Sequence, residues 1–170
     1  MSVSLTYLGG ASEVGRVGAV LEGPEGRLLL DYGLQPDDPP KHPLPAPDVD
    51  ALLLTHAHLD HVLGTNWINE KYGVLPRLHK ADEQTWVQAP KSAELYGIPM
   101  DPLPNRGEDL GDQGSIIECG KFNLEIRLAP GHCLGHVVFV CHEHKFVIGG
   151  DVLFYGSIGR TDLPGSNHTD

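Results

Sequence analysis

Three of the chain's ten histidines fall within six residues, in the segment Thr55-His56-Ala57-His58-Leu59-Asp60-His61, with one carboxylate among them. Imidazole nitrogens and carboxylate oxygens are the ligands that zinc takes, and iron or manganese accepts the same N/O set. If residues 56–58 continue an extended strand, alternation turns His56 and His58 to one side. A bend beyond them would let Asp60 and His61 face a second ion nearby. A lone histidine is more often satisfied by its fold than used as a ligand. Four potential ligands in six residues, directly after a buried strand, point instead to metal chemistry.

That strand is the short apolar run of residues 51–54, which delivers the chain to the histidines. Upstream, residues 4–8 alternate polar and apolar and meet Gly9-Gly10, which predicts a strand and a turn. Residues 17–22 and 27–31 flank Gly23-Pro24-Glu25-Gly26 and predict a β-hairpin. The proline-rich stretch 36–47 predicts a surface loop. Downstream, residues 66–72 predict a helix closed by Gly73, and residues 77–79 a short strand. Residues 81–89 predict a helix that stops before Pro90, with another turn or two over 92–96. Residues 100–114 read as a loop. Strands are predicted over 116–119, 122–128, 137–141 and 145–148, the last two joined by a turn at His142-Glu143-His144. Strands, a helical middle and strands again define an α/β or α+β class, with helices covering sheets.

The 170 residues fit one domain, residues 1–170, large enough to bury a core without staples. A formal net charge of -11 repels polyanions and speaks against a nucleic-acid partner, which needs a Lys/Arg footprint. Cys119, Cys133 and Cys141 are an odd count without paired spacing, so they read as small buried hydrophobes rather than a disulfide framework. Residues 1–4 carry no basic leader, and no apolar run reaches membrane-spanning length. The expectation is a soluble, cytoplasmic protein.

Thr55 to His61 resembles the HxHxDH signature of the metallo-β-lactamase superfamily. Ala129-Pro130-Gly131-His132 resembles the segment that carries the family's next histidine, and Gly149-Gly150-Asp151 the one that carries its bridging aspartate. Residues 155–165, Tyr-Gly-Ser-Ile-Gly-Arg-Thr-Asp-Leu-Pro-Gly, are similar to the glyoxalase II-like (hydroxyacylglutathione hydrolase-like) branch. The resemblance implies a four-layered αβ/βα sandwich with its site at one edge of the sheets. It implies His56, His58 and His132 on one metal, Asp60 and His61 on a second, and Asp151 bridging both. Asp60 would also orient the attacking hydroxide, so it is the catalytic candidate. Asp31, at a strand end, would brace the metal loop. His136 offers either support to the ligands or a satisfied structural imidazole. Arg160 offers either a substrate contact or an ion pair with Asp162. Cys133 reads as a packing residue, with an oxidation-sensitive neighbour of the metal as the alternative. His142 and His144 read as solvated, and His168 as a tail residue; His42 and His79 have no assigned role.

Two departures qualify the resemblance. The family supplies one more histidine for the second metal further downstream, and residues 1–170 show no matching segment; the last strand and helix of the fold also have no counterpart. The opening residues 8–16 and 28–34 resemble RNA-processing nucleases of the same superfamily, so a composite chain is a live reading. The leading expectation is a zinc-dependent hydrolase, with one or two ions, whose metal-held hydroxide attacks a thioester or related small acyl substrate. The alternatives are a metal-binding domain with little catalysis, and a persulfide dioxygenase-like iron enzyme. Uncovered sheet edges predict a homodimer.

Overall fold

A computed structural model describes residues 3–11, 15–24, 26–35, 39, 41–119 and 122–170. Readings that fall on residues 1–2, 12–14, 25, 36–38, 40 and 120–121 lie outside it, as does the side chain of Cys119.

The first sheet has five strands in sequential order: β1 (Ser4–Gly9), β2 (Gly18–Gly23), β3 (Gly26–Tyr32), β4 (Ala51–Leu53) and β5 (Pro76–Arg77). β1, β2 and β3 are antiparallel neighbours, while β4 runs parallel to both β3 and β5. The apolar runs of β2 to β4 are continuous because both faces of this sheet are covered. Val20, Leu29, Leu52 and Leu54 face the helices, where they pack with Ile68, Trp86 and Ala89. The alternate residues Leu21, Leu28, Leu30 and Leu53 face a second sheet. Each fully buried leucine contributes about 1.5–3 kcal/mol relative to exposure.

The second sheet is an antiparallel meander of β6 (Ile116–Cys119), β7 (Phe122–Leu128), β8 (Val137–Cys141) and β9 (Phe146–Ile148). Phe122, Leu124, Ile126, Val137, Phe139 and Cys141 point inward and form the inter-sheet core. Its opposite face carries Asn123, Arg127 and Val147 exposed to solvent. Among the described residues no helix covers that face, so the architecture is αβ/β, the sandwich without its fourth layer.

Among the described residues three α-helices complete the fold: α1 (Leu59–Val62), α2 (Thr65–Tyr72) and α3 (Glu83–Leu95). Gly73 ends α2 in the left-handed conformation at φ 70°, with its N–H on the Asn69 carbonyl. α3 buries Trp86, Ala89 and Ala93, one stripe at helical spacing. It corrects the sequence expectation, because it passes through Pro90 instead of stopping before it. The anchoring of Trp86, Ala89 and Ala93 on both sides of the proline outweighs the one hydrogen bond that proline removes. A small hairpin of β10 (Leu153–Phe154) and β11 (Ser157–Ile158) was also not expected from the sequence. Among the described residues no helix is long and apolar enough to cross a membrane.

Candidate metal centre

The chain segments that follow β3, β4, β7 and β9 meet at one edge of the two sheets, and each brings a polar residue. β3 carries Asp31 next to its last residue, β4 leads into residues 55–58, the β7–β8 connection holds His132 and His136, and β9 leads to Asp151. The sheets are stitched together at this edge by Val137 N–H, which donates to the Thr55 carbonyl at 2.9 Å.

Thr55 is the hub of the first ligand loop. Its N–H and hydroxyl both donate to the buried Asp31 carboxylate, each at 2.8 Å. With its proton committed there, the hydroxyl oxygen is an acceptor toward His56 Nδ1, 3.2 Å away. His56 therefore carries its proton on Nδ1 and presents a bare Nε2. That Nε2 is completely buried and has no hydrogen-bond partner. An orphaned imidazole nitrogen costs free energy unless something binds it.

His132 is arranged in the same way. Its Nδ1 lies 2.7 Å from the Arg160 carbonyl and donates to it, which leaves Nε2 facing His58 Nδ1 at 2.8 Å. Potential ligand atoms of His56, His58 and His132 lie within 4.8 Å of one another, and so do those of His56, His61 and Asp151. His56 offers one free nitrogen and so serves one cation at a time; His58 and His132 complete one group, His61 and Asp151 lie on the other side, and these nitrogen and carboxylate donors suit zinc, iron or manganese. The chemistry of the donors and the orphaned His56 nitrogen both match such an occupant.

α1 is the bend expected after His58. It is one helical turn, and it carries Asp60 and His61 back toward the strand ends. Gly33 lets this turn approach, because a Cβ there would lie 1.6 Å from the Asp60 carbonyl oxygen. His61 Nδ1 lies 3.0 Å from Asp31 Oδ2, and its Nε2 lies 3.2 Å from Asp151 Oδ1. Asp60 is at the rim, its Oδ2 3.8 Å from His61 Nε2 and its side chain one-quarter exposed. It belongs to neither tight group of three.

The electrostatics follow from this crowding. Burial, and then the neighbouring imidazoles, hold His56 well below the usual histidine range, and the same causes push His58 down to about 4. Burial also opposes charge on His61, but Asp31 and Asp60 outweigh it and hold that ring well above its usual value. Asp151 is held low: burial raises it, and the facing His61 more than compensates.

His136 is also drawn into the centre. Its Nε2 accepts the Asp151 backbone N–H at 3.0 Å, and burial takes its basicity down to about 3. That nitrogen is thus committed to holding the Asp151 backbone. Gly150, at φ 50°, passes so close that a Cβ would lie 2.7 Å from both His136 Nε2 and Thr55 Oγ1. Arg160 meets the site through its carbonyl; its guanidinium makes a bidentate pair with Asp162 at 2.7 and 2.9 Å. A cavity of about 190 Å³ adjoins His132 and Asp151, lined by Pro130, Val152, Ile158 and Gly159 among others, with the exposed His168 at its side. His142, read as solvated, pairs with Glu125 at 2.5 Å.

Sequence reasoning missed Asp82. This carboxylate is fully buried and accepts the Ala57 N–H at 2.6 Å, between His56 and His58. Its place just before α3 has the residue type of a helix cap, but nothing in the sequence connects it to Ala57. His79, unassigned from sequence, is buried and accepts the Ala81 N–H through Nδ1 at 3.2 Å.

Two sheets with a shared histidine-and-carboxylate edge define a candidate metal centre. The sequence profile of the Metallo-beta-lactamase superfamily matches residues 16–170, and the chain belongs to that superfamily. Among curated proteins it is 40% identical over 120 residues to the hydroxyacylglutathione hydrolase GloC of Haemophilus influenzae, an alignment covering 69% of this chain and 56% of that protein. It is 38% identical to the probable metallo-hydrolase YqgX of Bacillus subtilis, with the same coverage. The chain thus spans about half the length of the curated relatives it matches. Among solved structures, TTHA1623 in a di-iron-bound form superposes with a TM-score of 0.73 at 30% identity, covering 91% of this chain and 77% of that one. BLEG-1, a B3 metallo-beta-lactamase, superposes with a TM-score of 0.74 at 25% identity, covering 98% and 80%. The composite reading gains no support from these comparisons; the superfamily match includes residues 28–34 and, of residues 8–16, Arg16.

Proposed function

We propose that this chain is a metal-dependent hydrolase that cleaves a thioester or a related small acyl substrate, with Asp60 as the residue that handles the proton of the attacking water. The observation that carries the metal reading is His56 Nε2, buried, without a partner, and shared by both donor groups. His56, His58 and His132 would hold one ion, His61 and Asp60 the other, and Asp151 would reach both. Zinc is the first expectation; iron is the second, supported by the two irons of TTHA1623. Cations bound there lower the pKa of water to about 7 and polarise a carbonyl.

The protein's own contributions can be named. Asp31, Thr55 and the Arg160 carbonyl keep the ring nitrogens of His61, His56 and His132 in ligand-ready tautomers. Asp60, at the open rim, has a carboxylate placed to accept a proton from water and orient it. The apolar cavity beside His132 offers room for an acyl group. A thiolate leaves with little need for protonation, so cleavage of a thioester does not depend on a dedicated acid. The hydroxyacylglutathione hydrolase relatives favour a thioester over other acyl groups.

The test is hydrolysis of a hydroxyacylglutathione thioester by chain reconstituted with Zn²⁺, and separately with Fe²⁺, followed by chelation. Turnover that disappears on chelation and falls about a hundredfold or more in His56→Ala is expected. Metal-independent turnover, or none with either ion, would reject the hydrolase reading.

A further inference from the structure

Asp82 occupies the position before α3, where a carboxylate would normally accept a backbone N–H of the first helical turn. It makes no such bond to its own helix. Instead Oδ2 accepts the Ala57 N–H at 2.6 Å, and Oδ1 accepts the Thr85 hydroxyl at 2.7 Å. The Cys133 thiol lies beside the same carboxylate. Cys133 follows His132 directly and is buried. Its sulfur in turn meets the backbone N–H groups of Gly135 and His136. The backbones are as close as they can be, since a Cβ on Gly135 would lie 2.2 Å from the Asp82 nitrogen. One carboxylate therefore contacts the loop between His56 and His58, the residue after His132, and the start of α3.

From this arrangement we infer that Asp82, with the Cys133 thiol as its donor, is a positioning residue that fixes the His56–His58 loop against the His132 loop, and so sets the spacing of the three-nitrogen group. The inference rests on the metal reading above. Asp31 does the corresponding task on the other side, where it holds Thr55 and His61. Each group of three ligands then has its own buried carboxylate, reached from a different element. The wide separation in sequence of residues 57, 82 and 133 makes this a tertiary clamp, not a local turn. Cys133 acts here as a hydrogen-bond donor. Burial and the adjacent Asp82 push its thiol far up, so it stays protonated and is not a reactive thiolate.

The test is Zn²⁺ affinity by chelator competition, with Co²⁺ absorption as a probe of ligand geometry, on the wild-type chain, Cys133→Ala, Cys133→Ser and Asp82→Asn. Cys133→Ala is expected to weaken the first equivalent of Zn²⁺ about tenfold or more and to alter the Co²⁺ spectrum, with Cys133→Ser returning to within about threefold of wild type. The serine rescue separates the hydrogen bond from mere filling of space. Asp82→Asn is expected to weaken binding at least as much; should it fail to fold, the cysteine pair decides alone. Equal affinity in Cys133→Ala and wild type, or no recovery in Cys133→Ser, overturns the positioning role and leaves the metal reading intact. A wild-type chain that takes up neither Zn²⁺ nor Co²⁺ overturns both.

Discussion

Asp31 is held at φ 56°, a backbone conformation that few residues other than glycine, asparagine and aspartate accept. Its buried carboxylate takes hydrogen bonds from Thr55 N–H, Thr55 Oγ1 and His61. Asparagine tolerates the same backbone but offers one acceptor oxygen and an unwanted donor. Asp31→Asn is therefore expected to cost about 1.5–3 kcal/mol, the range for one hydrogen bond to a charged group. Asp31→Ala should cost more, because three donors lose their acceptor; urea melts of the metal-free chains measure both. The buried histidines give a second expectation. Their folded-state values lie below the unfolded value near 6.5, at about 4 for His58 and about 3 for His136. As pH falls from 6.5 toward 4, the unfolded chain gains protons that the folded chain refuses, so stability is lost. His61 contributes in the opposite sense: its value is raised, so its stabilisation is complete below 6.5 and disappears as pH rises through the folded value. The urea midpoint of the metal-free chain should thus drop between pH 6.5 and 4. A flat or rising midpoint there would contradict the burial of these rings as neutral imidazoles.

At the scale of elements, Pro90 is the local rule that the fold overrides. In the middle of α3 it removes the N–H that would reach the Trp86 carbonyl, and its ring crowds that carbonyl. The side chain is exposed, so no packing is lost on replacement. Pro90→Ala is expected to stabilise the chain by about 2–2.6 kcal/mol, the roughly 3 kcal/mol penalty of an interior proline less about 0.4–1 kcal/mol for the added freedom of the unfolded chain. Thermal unfolding would show this as a higher melting temperature; a fall would mean that Pro90 sets a bend on which the packing of Trp86 and Ala93 depends. The same helix shows what the sequence could and could not reveal. Strands β2, β3, β4, β7 and β8 were legible because runs of Leu, Val, Ile and Phe between glycines and prolines leave few other options. The residues from His56 to His61 were legible as a cluster because they are contiguous, and the resemblance pointed to His132 and Asp151. Asp82, and the bond from His136 to the Asp151 backbone, were not legible. Both depend on which loops the two sheets bring together, and no spacing along the chain encodes that. The β10–β11 hairpin escaped because its strands are only two residues long.

For the whole molecule, the site lies where two independently formed sheets meet. His56 and His58 follow a strand of the first sheet, while His132 and Asp151 follow strands of the second. A cation held by all of them would cross-link the sheets and bind only the folded chain. The metal-free centre, by contrast, gathers five buried or nearly buried imidazoles (His56, His58, His61, His132 and His136), with His56 Nε2 unpartnered and His58 Nδ1 and His132 Nε2 only 2.8 Å apart. Binding should therefore appear directly as stability. At a free concentration of one hundred times Kd, the gain is about 2.7 kcal/mol. For a domain of this size each kcal/mol raises the melting temperature by about 2–4 °C, so a rise of about 5–10 °C is expected on saturation. Chelator should reverse it, and His56→Ala, which removes a ligand of the first ion, should shrink it. Because this readout needs no substrate, it separates the two parts of the functional reading. A melting temperature unmoved by Zn²⁺, Fe²⁺ and Mn²⁺ would reject the metal centre itself. A rise without thioester turnover would keep the centre and place the chain among metal-binding domains that do not hydrolyse this substrate.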